Sequence, residues 1–85
     1  MVFKVLAAEA DLSSASNVTL ATLVRVYNGH SAVSVITRKD SGGTTIGSMT
    51  VLNGAVEVFE KVATDTLSVA SNGSSVKVTS IAFTR

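Results

Sequence analysis

Apolar and polar positions alternate with a period of two along most of this chain, in short runs separated by breaks rich in asparagine and glycine. That period belongs to half-buried β-strands, because successive side chains of a strand point to opposite faces. Val2-Phe3-Lys4-Val5-Leu6-Ala7 reads as a first strand. Val18 to Tyr27 is the longest β-prone run, with Val18, Leu20, Val24 and Val26 on one side and Ala21, Leu23, Arg25 and Tyr27 on the other. Ala32 to Arg38 sets Val33 and Val35 against Ser34 and Ile36. Thr44 to Val51 follows, and its interior Gly47 marks a bulge or a close backbone approach. Ala55 to Lys61 alternates Val56 and Val58 with Glu57 and Phe59, and Thr66 to Ala70 is a short strand. In the last run, Ser75 to Phe83, Val76 and Val78 share one phase while Ile81 and Phe83 share the other, which demands a bulge near Thr79 or a change of partner. No stripe of useful length follows the helical period.

The breaks carry turn chemistry. Asn28-Gly29, Asn53-Gly54 and Asn72-Gly73 are Asn-Gly pairs, and Lys39-Asp40-Ser41 leads into Gly42-Gly43. Asn and Gly enter the left-handed backbone region at low cost, so an Asn-Gly pair between alternating runs signals a tight hairpin. Ser71 to Ser74 reads as a turn, Val62 to Asp65 as a connection, and Ala8 to Asn17, small and polar, as a loop. About seven short strands at roughly 8–12-residue spacing favour an all-β fold. The expectation is one domain over residues 1–85, a small antiparallel β-sandwich (Ig-like or jelly-roll-like), with 8–17 as a loop or arm. Its expected core is Val5, Val24, Val26, Val33, Val35, Val56, Val58, Leu67, Val69, Val76 and Val78.

Composition changes this picture in one respect. The chain has 85 residues, 46% hydrophobic and 15% charged, and its mean hydropathy is +0.44. A domain of this size buries only about 60% of its unfolded surface, so the core is thin and apolar residues are left over. Alternation places Leu23, Tyr27, Ile36, Phe59 and Phe83 opposite the expected core positions, and these five, with the N-terminal strand as a further candidate, form the expected interface of a homo-oligomer or a lattice-bound subunit. There is no cysteine, so neither disulfides nor a thiolate zinc site can hold the fold. A net charge of +1, scattered along the chain, argues against nucleic acid as a partner. No run approaches the ~18 apolar residues of a membrane span. The N-terminus lacks the basic segment and apolar stretch of a secretory signal, and Met1 reads as the start of a complete short protein.

Catalytic chemistry finds little to work with. His30 is the single histidine and sits beside a turn. The carboxylates Glu9, Asp11, Asp40, Glu57, Glu60 and Asp65 contain no close pair, since Glu57 and Glu60 differ in strand parity and fall on opposite faces. The run Gly42-Gly43-Thr44-Thr45-Ile46-Gly47 lacks the lysine and following helix of a phosphate loop. Asn17-Val18-Thr19 and Asn72-Gly73-Ser74 match the glycosylation pattern, but with no secretion signal they read as ordinary turn residues. The expectation is a non-enzymatic protein with no catalytic residue, no metal and no cofactor.

A resemblance sharpens the function. Val24-Arg25-Val26-Tyr27-Asn28, Thr44-Thr45-Ile46-Gly47-Ser48, Ala55-Val56-Glu57-Val58-Phe59-Glu60-Lys61, Thr64-Asp65-Thr66-Leu67 and Val76 to Thr84 follow one another in an order that resembles small β-sandwich structural proteins of tailed bacteriophages, cyanophage-like ones in particular. The resemblance implies a virion component, such as a capsid (head) decoration protein, partnered by its own copies or by other virion proteins; a cytoplasmic location is the alternative. Another class of function is a small ligand- or carbohydrate-binding β module that uses the turn residues Asn28, His30, Asp40 and Asn53 as polar contacts. Sugar-binding faces favour flat aromatic rings, and this chain offers only Phe3, Tyr27, Phe59 and Phe83.

Overall fold

The computed structural model describes residues 2–70 and 72–84; Met1, Ser71 and Arg85 lie outside the described residues, and with Ser71 the first position of the turn expected over 71–74. The described residues form eight strands in chain order: β1 (Val2–Val5), β2 (Ala10–Asp11), β3 (Leu23–Asn28), β4 (Ser34–Lys39), β5 (Thr45–Val51), β6 (Val56–Glu60), β7 (Thr66–Val69) and β8 (Val76–Thr84). They form a small antiparallel β-sandwich. One sheet has the order β1-β8-β3-β6, with β2 also on β8, and the other has the order β5-β4-β7.

The last strand reconciles its two phases by changing partners. On one edge β8 pairs with β3 from Val76 to Ser80. On its other edge it pairs with β2 at Lys77 and Val78, then with β1 from Ile81 to Thr84. Gly47 does accompany a bulge: the register of β4 on β5 shifts between Arg38 and Lys39, so that Ile46 is the extra residue.

The three Asn-Gly breaks are not hairpins. Each one crosses between the sheets, from β3 to β4, from β5 to β6 and from β7 to β8, whereas Gly42-Gly43 alone closes a hairpin, between β4 and β5. Only some of the expected backbone geometry is present: φ is +76° at Gly54 and +61° at Asn72, while Gly29 and Gly73 keep negative-side conformations. Close approach explains Gly73 instead, because a Cβ there would lie 2.1 Å from the carbonyl oxygen of Leu12.

Asn28 explains why two of these arches stay together. Its side chain is fully buried. The amide nitrogen donates to Val51 O at 2.9 Å and Ala32 O at 3.0 Å, and Oδ1 accepts from His30 N at 3.0 Å. Its main chain accepts from Gly54 N at 2.7 Å and donates to Ala55 O at 3.1 Å. One residue thus satisfies backbone groups of both arches, among them the carbonyl of the buried Val51.

Val24, Val26, Val76 and Val78 of the first sheet meet Ile36, Val51 and Leu67 of the second, and Leu12, Val18 and Ala21 close the core. Four expected core positions are exposed instead: Val5, Val33, Val35 and Val56. In β4 the phase is reversed, with Ile36 at 2% exposure and Val35 at 46%. Val33 precedes the strand, so Ser34 and Ile36 supply its inward face. β6 is reversed as well, because Phe59 sits opposite the inward Val24 and packs on the core, whereas Val58 sits opposite Arg25.

Two segments before β3 also depart from expectation. The 8–17 stretch runs along its own chain: β2 pairs with β8, Leu12 is buried in the core, and Ser16 and Leu67 exchange backbone hydrogen bonds of 3.0 and 2.8 Å. Val18 to Leu20 is not extended but forms a left-handed turn with φ of 54°, 55° and 60°. Such backbone costs about 1–3 kcal/mol per non-glycine residue, so local bonds must hold it. Ser16 Oγ accepts from Val18 N at 3.0 Å and Asn17 Oδ1 from Leu20 N at 3.2 Å. Val18 itself is buried in the core, which compensates part of the cost.

Candidate interaction surface

The five residues expected at an interface occupy different environments. Leu23 and Tyr27 are half-buried on β3, on the face opposite Val24 and Val26. Phe59 is half-buried and packs against the core. Ile36 is a core residue and is removed from the candidate surface, because the reversed phase of β4 turns it inward. Phe83 remains, 48% exposed near the end of β8.

Phe83 belongs to a larger apolar feature. Beyond Ser80, β8 leaves β3 and continues with β1 as a two-stranded ribbon. All four residues of β1 are exposed, since the second sheet does not extend over them. Phe3 and Phe83, opposite each other in the pairing, meet edge-on with ring centroids 6.2 Å apart and an interplanar angle of 87°, the geometry aromatic quadrupoles favour. A groove of about 1040 Å³ lies alongside, between the ribbon, the left-handed turn and the end of β6, and its apolar wall includes Leu6, Leu20, Leu23, Phe59 and Phe83. The N-terminal strand, a further candidate for the interface, supplies Val2, Val5 and Leu6 to this surface, and both phases of 2–6 hold apolar residues.

A second, smaller cleft of about 230 Å³ opens between β5 and β6, where Ile46, Met49 and Phe59 stand over the buried Ile36 and Leu67.

The polar groups are engaged in holding the fold. Arg38 of β4 reaches Asp65, before β7, through Nε at 2.7 Å and a terminal guanidinium nitrogen at 2.5 Å; Val62 N donates to the same carboxylate oxygen at 3.2 Å. Lys61 Nζ donates to the carbonyls of Ala63 at 3.2 Å and Val62 at 3.4 Å. Burial alone would raise the pKa of Asp65, but the Arg38 hydrogen bond, the Val62 amide and the charges of Arg38 and Lys61 together lower it. Burial pushes the Lys61 ammonium down, Asp65 partly opposes this, and Arg38 adds to it. A carboxylate held ionised and saturated by donors is a latch between elements, not a group poised to exchange protons.

The turn residues proposed for ligand contact are mostly committed internally. Asn28 is buried, and Asp40 Oδ1 accepts from Gly42 N at 2.9 Å and Thr44 N at 3.0 Å within its own hairpin. Asn53 is exposed and His30 half-buried. Among the described residues no three of His, Cys, Asp and Glu gather where they could hold a metal ion, and no helix is long and apolar enough to cross a membrane. Compared with models of protein families, with curated proteins and with solved structures, the chain matches none.

Proposed function

We propose that this protein is a non-enzymatic structural subunit that works by assembling, through exposed apolar strand surface, with copies of itself or with a larger particle. The observation that carries this reading is the β1–β8 ribbon, which leaves Val2, Phe3, Val5, Leu6 and Phe83 exposed in one region of an 85-residue chain. Contiguous apolar surface of that kind marks interaction sites, because water penalises leaving it open. The engaged state of Asn28, Asp40 and Asp65 supports the same reading over a ligand-binding module or an enzyme.

The resemblance of the run from Val24 onward to phage structural proteins supports a narrower version, in which the particle is a virion and the protein decorates its capsid. Light scattering coupled to size-exclusion chromatography tests the general reading: assemblies larger than one chain are expected at micromolar concentration. For the narrower version, incubation with purified capsids of the phage whose genome encodes the chain, followed by co-sedimentation, is the test; no enrichment with the particles would remove it.

A further inference from the structure

We propose that two copies of this protein form a two-fold dimer in which the end of β8 pairs antiparallel with β8 of the second copy, about an axis close to Phe83. This rests on the assembly reading above and adds the surface and its symmetry.

Backbone direction carries the inference. Leu12 N donates to Val76 O and Leu6 N to Ser80 O on the β1 and β2 edge, whereas Gly29 N donates to Ser75 O on the opposite edge. Alternation along the strand therefore turns the N–H and C=O of odd-numbered residues toward the β3 side. β3 accompanies β8 only as far as Ser80, opposite Val24. Phe83 thus directs its backbone donor and acceptor into the groove, with no strand opposite among the described residues. An antiparallel strand from a second copy makes Phe83 and its symmetry mate a hydrogen-bonded pair that exchanges both bonds. The same patch serves on both sides, which is the condition for a closed two-fold contact.

Side chains and area agree with that arrangement. Val2, Phe3, Val5, Leu6, Leu20 and Phe83 are between 43% and 67% exposed. With roughly 150–200 Å² on a fully exposed large apolar side chain, they leave on the order of 500 Å² open on each copy. Successive residues of β1 alternate faces and β1 lies outside the β8–β8 seam, so pairing covers chiefly the part of this area beside the seam, at Phe83, Leu20 and Leu23, and the contact is of the smaller, concentration-dependent kind. The paired ribbons form a four-stranded β1-β8-β8-β1 sheet, which joins the Phe3–Phe83 pair of one copy to that of the other, and the incoming strand covers Leu20 and Leu23 in the groove. A two-stranded ribbon is marginal alone and an open edge invites pairing, so the dimer widens the ribbon and closes the β8 edge. Among the described residues the patch carries one charge of each sign, Lys4 on β1 and Glu60 at the groove, so doubling these does not accumulate like charge.

The natural absence of cysteine gives a clean test. Ala82→Cys, next to the axis, is expected to yield a covalent dimer with a short bismaleimide in dilute solution, whereas Thr50→Cys, exposed on β5, is not. Phe83→Lys is expected to convert the dimer to a monomer in light scattering, with circular dichroism confirming that the variant is folded; Leu20→Lys, outside the strand, provides the same readout if Phe83→Lys does not fold. An oligomer that crosslinks through Thr50→Cys but not Ala82→Cys would overturn this interface and leave the assembly reading standing. A monomer that crosslinks through neither would overturn the interface and self-assembly together.

Discussion

The side-chain amide of Asn28 donates to the carbonyl of Val51 at 2.9 Å, joining the end of β3 in one sheet to the end of β5 in the other. Both residues are essentially without solvent exposure, so water cannot replace the bond. Asn28→Ala leaves Val51 O and Ala32 O without this donor, and His30 N without its acceptor. Each buried group left unpaired costs about 1–3 kcal/mol, and the expected loss is about 2–4 kcal/mol in urea denaturation. Asn28→Asp is expected to be as harmful, because a carboxylate cannot donate to two carbonyls and brings an uncompensated charge into the interior.

Two glycines of the Asn-Gly pairs, Gly54 and Gly73, and the strand glycine Gly47 separate by mechanism. Gly73→Ala sets a Cβ against the Leu12 main chain, and with backbone on both sides nothing inexpensive can move, so this is the most destabilising of the set. Gly54→Ala meets no atom within 4 Å but keeps φ at +76°, and a loss of about 1 kcal/mol is expected from the left-handed conformation alone. Gly47→Ala has both open space and an ordinary φ and is expected to be neutral. Thermal melts of the three variants check the order.

Acid sensitivity is expected to arise at Asp65. Its folded pKa lies below the unfolded value, so the unfolded chain takes up the proton more readily. The contribution to stability is therefore complete above the ordinary carboxylate range and is lost as pH falls through the lowered folded value. Urea midpoints measured against pH should show this acid limb in the wild type and a flatter one in Asp65→Asn, whose stability near neutrality is also reduced. An unchanged limb would place the sensitivity elsewhere.

Much of the architecture was legible in the alternation: the all-β class, the strand count within one, the connection at 62–65, the bulge beside Gly47 and the partner change in β8. The inward faces of β4 and β6 were not, because both phases of those strands carry large apolar residues, Val35 against Ile36 and Val58 against Phe59. Asn-Gly pairs announced reversals of direction without saying which sheet the chain enters next; that depends on Asn28 finding Val51 and Ala32, contacts distant or irregular in sequence. The turn at 18–20 ran against propensity, since Val18 and Thr19 favour extended backbone. Of the candidate surface, Phe83 and the N-terminal strand were readable, whereas their pairing as an uncovered ribbon was not, since that exposure follows from the second sheet ending short of β1.

The reversed phase of β4 has a direct check. Ile36→Asp is expected to prevent folding, because it buries an unpaired charge among Val51, Leu67 and their neighbours. Val35→Asp, on the exposed face, is expected to stay within about 1 kcal/mol of wild type. Circular dichroism and denaturation of the pair distinguish the two faces; the opposite order of tolerance would restore the phase inferred from Val33 and Val35.

The central claim is that the uncovered apolar strand surface exists to be covered by assembly. Sedimentation velocity of the unmodified chain over a concentration series from about 1 to 100 µM measures this most directly. The account expects a species larger than one chain that gains population with concentration, as mass action requires. A single sedimenting species of 8.7 kDa throughout the series would contradict it.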